Sequence, residues 1–144
     1  TWSALGDVHA RVAVELGPFP DALDGAREGF GRATALEPHV PWYWLRWATF
    51  ERSVGQLEAA RRLVGRALGE EPRFVRGWLL EARLALDRGD APGAARSFER
   101  ARIAALEGRW RSLSDYERDL LRAPSWQVHE LAAELAAPAA EEIE

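Results

Sequence analysis

The sequence repeats itself every 34 residues. Trp44 recurs as Trp78, Ala48 as Ala82 and Gly55 as Gly89, each pair being 34 positions apart. The same frame aligns several sets of three residues: Ala26, Ala60 and Ala94; Phe30, Val64 and Phe98; Arg32, Arg66 and Arg100; Ala33, Ala67 and Ala101. So many matches in one register are not chance. A period of this length is typical of folds in which one small structural unit stacks on the next.

Each unit has the pattern of two helices joined by a turn. In the second unit, Trp44 and Trp47 follow helical spacing, Gly55 interrupts the pattern, and Pro72 ends the second helix. In the third unit the first helix stops near Gly89, and the next begins with the sequence DAP, in which the aspartate provides a cap and the proline lies in the tolerant first turn. The pattern therefore predicts pairs of helices.

These units resemble the tetratricopeptide repeat family, whose pattern is W-x2-L-G-x2-Y followed by A-x3-F-x2-A and a closing proline. The second unit matches it with WLRWA, AARRLVGRA and EEP, and the third with WLLEA and AARSFERA, although Leu106 stands where the closing proline would fall. The first unit matches with WSALGDVH and AREGFGRATALEP, which are separated by additional residues. The resemblance implies an all-α, right-handed superhelical solenoid with three antiparallel helix pairs in residues 1–107.

Beyond the repeats, the sequence predicts two C-terminal capping helices in residues 108–136. The segment SDYERDLLRAP begins with a capping box of Ser114 and Glu117. The segment SWQVHELAAELAAP has Ser125 as its expected cap and an apolar face of Val128, Leu131 and Leu135. We expect these helices to cover the open end of the third unit, as the ends of solenoids require. Residues 137–144 are predicted to form a loose tail.

Composition excludes several classes of function. With 144 residues, 47% of them hydrophobic, the chain suits a single globular domain. It has no apolar run that could span a membrane and no signal-peptide pattern, and a formal net charge of −4 disfavours nucleic-acid binding. The lack of cysteine removes disulfides and thiolate chemistry. The start at Thr1 predicts a chain that was processed or excised from a longer one.

No pattern in the sequence indicates catalysis, a metal or a cofactor. His9, His39 and His129 are far apart, and HELAA has Ala133 where a zinc-protease motif needs its second histidine. The glycine-rich GAREGFG follows no strand and lies inside a helical unit, which argues against a nucleotide loop. We therefore expect that the protein is not an enzyme and holds neither cofactor nor metal.

The aromatic run PWYWLRWATF, residues 41–50, is predicted to be mostly core. At about 100° per residue, Trp44 and Trp47 fall on one side of a helix, and Tyr43 and Phe50 on a second. We expect the first pair to pack within its own unit and the second pair to meet the preceding unit. Trp42 points instead to the side that forms a concave groove in the family.

The resemblance also implies a groove for a protein partner, because positions on the inner face of the family carry over to this chain. These positions, called the predicted groove below, are Trp42, Leu45, Arg46, Thr49, Arg52, Arg76, Leu79, Arg83 and Leu86. Arginine binds carboxylates through two parallel hydrogen bonds, so an acidic segment suits this set. Alternatively, these arginines neutralise acidic residues of the chain itself. The lysine and asparagine positions of the family's carboxylate clamp are not reproduced.

The sequence therefore predicts a non-catalytic scaffold for protein–protein interaction, with two alternatives for the partner. One is an acidic segment of another protein in the predicted groove. The other is a second copy of the chain, giving a homo-oligomer or filament through an exposed N-terminal apolar face. That face would consist of Trp2, Leu5, Val8 and Val12.

A rival interpretation is an accessory module of a larger enzyme. The segment PWYWLRWATFERSVGQLEAARRLVGRAL, together with SDYERDLLR, resembles the repeat-bearing C-terminal regions of bacterial O-antigen ligase-like membrane proteins. This resemblance implies a bacterial location outside the cytoplasm.

Overall fold

The computed structural model describes residues 4, 6–7, 20–108 and 113–137. The predicted N-terminal face, Trp2, Leu5, Val8 and Val12, and residues 138–144 of the predicted tail lie outside these ranges. Seven helices have described bounds: α1 (Pro20–Leu36), α2 (Pro41–Ser53), α3 (Leu57–Glu70), α4 (Val75–Asp87), α5 (Ala91–Glu107), α6 (Asp115–Leu120) and α7 (Ser125–Ala136). The described part of the chain contains no strand, and none of its helices is long and apolar enough to cross a membrane.

Two helix hairpins, α2–α3 and α4–α5, form the centre of the molecule and correspond to the second and third units of the sequence repeat. Each hairpin turns at a glycine with positive φ, 82° at Gly55 and 78° at Gly89. Glycine reaches this conformation without the steric cost that a Cβ atom brings. The hairpins stack through α3 against α4, and α2 also contacts α4. The chain is an all-α helical solenoid, as predicted.

Small residues at repeated positions allow the helices to approach closely. Ala48, Ala60, Ala82 and Ala94 have no exposed surface. Gly77 has the same role between α3 and α4, because a Cβ atom there would lie only 2.9 Å from Leu68 Cδ2. Short distances between helix axes require small side chains at the crossing points. The repeated alanines in the sequence are therefore contact positions.

The interface between α1 and α2 contains a buried charge. Glu51 on α2 is only 3% exposed. Arg27 on α1 binds both of its carboxylate oxygens, at 2.8 and 3.1 Å, and Trp47 Nε1 donates to the same carboxylate at 3.2 Å. The hydrogen bond to Glu51 raises the pKa of Arg27. A buried carboxylate with three such donors is satisfied rather than orphaned.

The aromatic run of α2 packs largely as its spacing predicts. Phe50 meets Phe30 of α1, with ring centroids 5.8 Å apart, so the expected contact with the preceding unit is confirmed. Trp44 packs within its own unit beneath Arg66 of α3. Trp47 differs from the expectation, because its ring stacks on Phe30 as well as on Trp44. The apolar side of α2 that faces α1 therefore includes Trp47 as well as the expected Phe50.

The C-terminal helices pack on the side of the third unit. The capping box of Ser114 and Glu117 is present at the start of α6, which ends at Leu120. The N-cap of α7 is Pro124, and no side chain caps this helix, so the expected cap at Ser125 is wrong. α7 contacts α4 and α5, and its Leu131 is 1% exposed. The helix begins at Ser125 itself, so the serine lies inside the helix and not at its cap.

Candidate functional site

The predicted groove residues lie on α2 and α4, but two of its apolar members are not accessible. Leu79 is 1% exposed and packs in a cluster with Leu121 and Leu131 from the C-terminal segment. Leu45 is 8% exposed and packs in a cluster with Leu120 of α6. Both leucines differ from the expectation of an open apolar surface, because α6, α7 and the turn between them cover this side of the hairpins.

Two further groove positions make local contacts. The hydroxyl of Thr49 donates to the carbonyl oxygen of Leu45 one turn earlier on α2, at 2.8 Å. Leu86 is half-buried and packs against the same cluster as Leu79. Thr49 itself is exposed, but its hydroxyl hydrogen is used within α2, and Leu86 is partly covered by its cluster.

Arg52 and Arg83 are neutralised by carboxylates of the chain itself. Arg52 binds Asp87 of α4 through two hydrogen bonds of 2.6 and 3.2 Å, and this contact raises the pKa of Arg52. Arg83 donates to Glu134 of α7 at 2.5 Å, with Glu130 at 4.0 Å. At these two positions the arginines are therefore paired with acidic residues of the chain itself, which is the alternative to binding an acidic partner.

The other basic residues of the predicted groove line an open cleft, called the Trp42 cleft below. Its volume is about 550 Å³ and its lining consists of Trp42, Arg46, Arg76, Asp119, Arg122, Ala123 and Pro124. Three of these side chains are arginines and one is acidic. The cleft therefore joins the start of α2 and α4 to the turn between α6 and α7.

Trp42 forms the aromatic part of this cleft and is held in place from both sides. Its ring packs edge-on against buried Phe74, with centroids 4.7 Å apart. The guanidinium of Arg76, a residue of α4, lies 5.5 Å from the centroid of the Trp42 ring, at the distance of a cation–π contact. The side chain of Trp42 is half-buried, so part of its ring remains available. Packing thus orients both Trp42 and Arg76 before any ligand arrives.

The three arginines of the cleft differ in their ionic contacts. Arg46 forms an ion pair with Asp7 at 3.2 Å. Within residues 20–108, 113–137 and the three described N-terminal positions, neither Arg76 nor Arg122 has a carboxylate within 4 Å. These two guanidinium groups are thus the cationic part of the cleft that retains unused hydrogen-bond donors.

The sequence did not identify Arg122, Asp119 or the turn that carries them as part of this site. They follow the last recognisable repeat by a dozen residues or more, and no periodic pattern places them beside α2. The only sign in the sequence that this turn packs against the hairpins was the pair of adjacent leucines at 120 and 121. Leu120 packs in the cluster of Leu45, and Leu121 packs in the cluster of Leu79. These leucines fix the turn against the hairpins and bring Arg122 to the cleft.

A second, larger cavity lies between α5, α6 and α7. It has a volume of about 790 Å³ and includes apolar Val75, Leu106, Leu113 and Leu121. Two of the arginines at its rim are paired, Arg102 with Glu99 and Arg118 with Asp115. Arg122 lines this cavity as well as the Trp42 cleft.

The described residues offer no arrangement for catalysis. His39 is exposed and contacts Glu70 at 2.8 Å, and His129 is exposed on α7. No group of three or more histidine and carboxylate side chains in the described ranges could hold a metal ion. The side chains that line the Trp42 cleft are guanidinium groups, an indole ring and a carboxylate, which form ion pairs, hydrogen bonds and apolar contacts.

Comparison with solved structures gives matches over nearly the whole chain. One is the crystal structure of PcrH in complex with the chaperone binding region of PopD, with a TM-score of 0.63 and 20% identity over 92% of this chain and 90% of that one. Another is the Sgt2 TPR domain from Aspergillus fumigatus, with a TM-score of 0.58 and 21% identity over 99% of this chain and 88% of that one. No protein-family model and no curated protein matches the sequence, so the resemblance to O-antigen ligase-like proteins has no support.

Proposed function

The chain has the fold of a tetratricopeptide repeat domain, and on this premise we propose that it is a non-catalytic scaffold that binds an acidic segment of another protein. The solved PcrH structure contains a region of PopD, so a solenoid of similar shape holds a segment of another protein. The chemistry of its exposed clefts provides the argument for the acidic segment.

The observation that carries the proposal is the Trp42 cleft, in which two arginines have no carboxylate of the described residues within 4 Å. Arg76 and Arg122 have guanidinium groups that suit bidentate contacts with carboxylates. Trp42 offers a rigid apolar face beside them, and aromatic and arginine side chains are typical of the energetically dominant positions in interfaces. A partner segment with a carboxylate next to an apolar side chain fits this combination. Asp119 on the rim disfavours a longer run of negative charge.

Binding of a defined peptide tests the proposal. The probe is a fluorescein-labelled peptide that alternates glutamate and leucine, measured by fluorescence anisotropy with the full chain. We expect Arg76→Ala and Arg122→Ala each to weaken binding by about 1.5–3 kcal/mol, the range for hydrogen bonds to charged groups. Affinity should fall as salt rises, because an open cleft is screened.

The matched control for this experiment is Arg62→Ala. Arg62 is an exposed residue of α3, and no carboxylate of the described residues lies within 4 Å of it. The control has the same change in net charge and should leave affinity within twofold of the wild type. Equal weakening by all three substitutions would mean that the affinity depends only on the net charge of the protein. Unchanged affinity in Arg76→Ala and Arg122→Ala would exclude the cleft as the binding site.

Association between copies of the chain is a second candidate, supported by exposed apolar side chains at the C-terminal end of the described solenoid. Trp126 is 65% exposed, Ile103 45% and Leu106 37%. Large exposed apolar residues at a solenoid end favour contact with another surface. If copies associate here, Trp126→Glu should lower the mass measured by light scattering and leave the helix content unchanged. A wild-type chain that stays monomeric at high concentration excludes this candidate.

A further inference from the structure

The C-terminal helix α7 contacts the hairpins in the way that an acidic helical ligand would. Its Glu130 and Glu134 are one turn apart and both face Arg83 of α4. Leu131 lies between them in sequence and is buried with Leu79 and Ala82 in the same cluster. The helix thus combines an apolar contact with two carboxylates on neighbouring faces, which is the pattern of an amphipathic segment in a groove.

Both α7 and the hairpins contribute charged side chains to this contact. The side chain of Arg83 is only 17% exposed, whereas those of Glu130 and Glu134 are 55% and 44% exposed. After the hydrogen bond to Asp87, the charges of Glu134 and Glu130 also raise the pKa of Arg52. Two arginines thus face three carboxylates, and two of these carboxylates belong to α7. Without α7, this surface would be cationic.

The attachment of α7 to the rest of the molecule is narrow. Leu131 is the one fully buried residue of the helix, with Val128 and Leu135 partly buried, whereas Trp126, His129 and Ala133 are exposed. An isolated helix of 12 residues is marginal in water. Its helical state therefore depends on docking against α4 and α5, and a weakened contact would release the segment locally without unfolding the hairpins.

We propose that α7 is a built-in competitor, which occupies a second acidic-helix site on α4 and α5 until a partner helix of the same chemistry replaces it. That partner carries two glutamates four residues apart and a leucine between them. The inference rests on the proposed scaffold function but concerns a different surface from the Trp42 cleft. Exchange of one helix for another keeps Arg83 paired and Leu79 covered, so the site on α4 and α5 is left with neither an unpaired charge nor an exposed apolar surface.

A peptide in trans tests this exchange. The probe is a labelled peptide of residues 124–137, PSWQVHELAAELAA, which contains all of α7. The protein is the full chain, either as wild type or with both Glu130→Gln and Glu134→Gln, so that only the tethered helix has lost its charges. We expect the double variant to bind the peptide about fivefold tighter or more, which corresponds to the upper end for partly exposed ion pairs. Amide exchange in α7 should be faster in this variant, with α2–α5 unchanged.

Further variants make the result specific. Adding Arg83→Ala to the double variant should abolish the gain, because the peptide then has no guanidinium to bind. Glu58→Gln, an exposed substitution on α3, is the matched control and should give wild-type affinity. Arg76→Ala should leave binding of the α7 peptide unchanged while it weakens binding of the glutamate–leucine peptide, which separates this inference from the proposed function. The inference is overturned if the double variant binds the α7 peptide no tighter than wild type, or if Arg83→Ala has no effect.

Discussion

The second unit (α2–α3) and the third unit (α4–α5) have the same framework but differ where they face their neighbours. In both, the indole N–H of the first helix donates to the carbonyl oxygen of the proline before it, from Trp44 to Pro38 at 2.8 Å and from Trp78 to Pro72 at 2.7 Å. In both, an arginine of the second helix lies over that indole ring, at 4.8 Å and 5.6 Å from the centroid. The sequence repeat is thus also a repeat of individual contacts.

The clearest difference lies at the face towards the preceding helix. The second unit has Glu51 there, bound to Arg27, whereas the third unit has Ala85 at the position 34 residues later, buried and 1% exposed. Arg61 is the residue of α3 that corresponds to Arg27, and it is exposed. Contacts inside a unit therefore recur, whereas contacts between units are specific to each interface. The comparison of the two units gives five predictions.

The largest effect is expected from placing the glutamate of the second unit into the third. Ala85→Glu introduces a charge and a larger side chain at a fully buried site, and it should lower the free energy of unfolding by about 4 kcal/mol. Adding Arg61→Ala should lower it further if Arg61 reaches the new carboxylate. Ala95→Glu, at an exposed position of α5, is the control. A loss below about 1 kcal/mol in urea denaturation would mean that the two interfaces are equivalent.

Removal of the arginine from the second unit's interface should have the next largest effect. Arg27→Met leaves Glu51 buried with only the indole N–H of Trp47, and it should cost about 3 kcal/mol, the lower end for an uncompensated buried charge. Glu51→Gln should cost less, because the side chain of Arg27 is 37% exposed and can be hydrated. The exposed Arg32→Met on the same helix serves as control. The reverse order of the two losses would show that the carboxylate is accessible to water.

Transfer of a helix cap from the third unit to the second should be stabilising. The side chain of Asp90 accepts a hydrogen bond from the backbone N–H of Gly93 at 2.9 Å, whereas Gln56 at the matching position makes no such bond. The two residues have similar dihedral angles, −93° and 74° for Asp90 and −88° and 67° for Gln56. Gln56→Asp should therefore raise stability at neutral pH, but by less than about 1 kcal/mol, because the second unit has Ala59 where the third has Gly93, and a Cβ atom at that position would overlap a carboxylate placed as in Asp90. An unchanged melting temperature would contradict this equivalence.

The same cap predicts a pH dependence. The backbone hydrogen bond from Gly93 lowers the pKa of the Asp90 carboxyl, so its contribution is present above the unfolded-state pKa of about 3.9. That contribution is lost as pH falls through the lower pKa of the folded state. Asp90→Asn should remove this part of the acid dependence, and Gln56→Asp should add a similar part. Denaturation curves between about pH 2 and 5 measure both changes.

The smallest effect is expected from the arginines over the indole rings. Arg66→Met and Arg100→Met should each cost about 0.5 kcal/mol, as for exposed cation–π contacts. The two losses should be equal, because the contacts belong to the shared framework. A loss in one unit only would break the correspondence between the second and third units.

Much of the framework could be predicted from the sequence, because it depends on residues close together in the chain. The period of 34 residues identified both hairpins, and the glycines at 55 and 89 marked their turns. The rotation around α2 placed Phe50 correctly against the preceding unit. The capping box of Ser114 and Glu117 was equally local, since both of its hydrogen bonds lie within one turn.

The site was harder to predict, because helical spacing shows which residues share a face but not what covers that face. Leu45 and Leu79 share a face with arginines, yet α6 and α7 cover them. Arg122 comes to the Trp42 cleft through a turn that has no repeat pattern. Glu51 and Arg27 are 24 residues apart, and no local rule pairs them. Tertiary packing decided all three points.

The pairing of Arg27 with Glu51 also bears on how a chain of this kind can lengthen by duplication. A tandem copy of the second unit would set the duplicate of Glu51 against Arg61, the arginine that already stands in the matching place on α3. A tandem copy of the third unit would set Ala85 against Ala95 and would create no charged contact. Each unit added by duplication of the second would therefore bring an ion pair that fixes its position against its neighbour. Each unit added by duplication of the third would add only apolar stacking, which tolerates displacement along the helix.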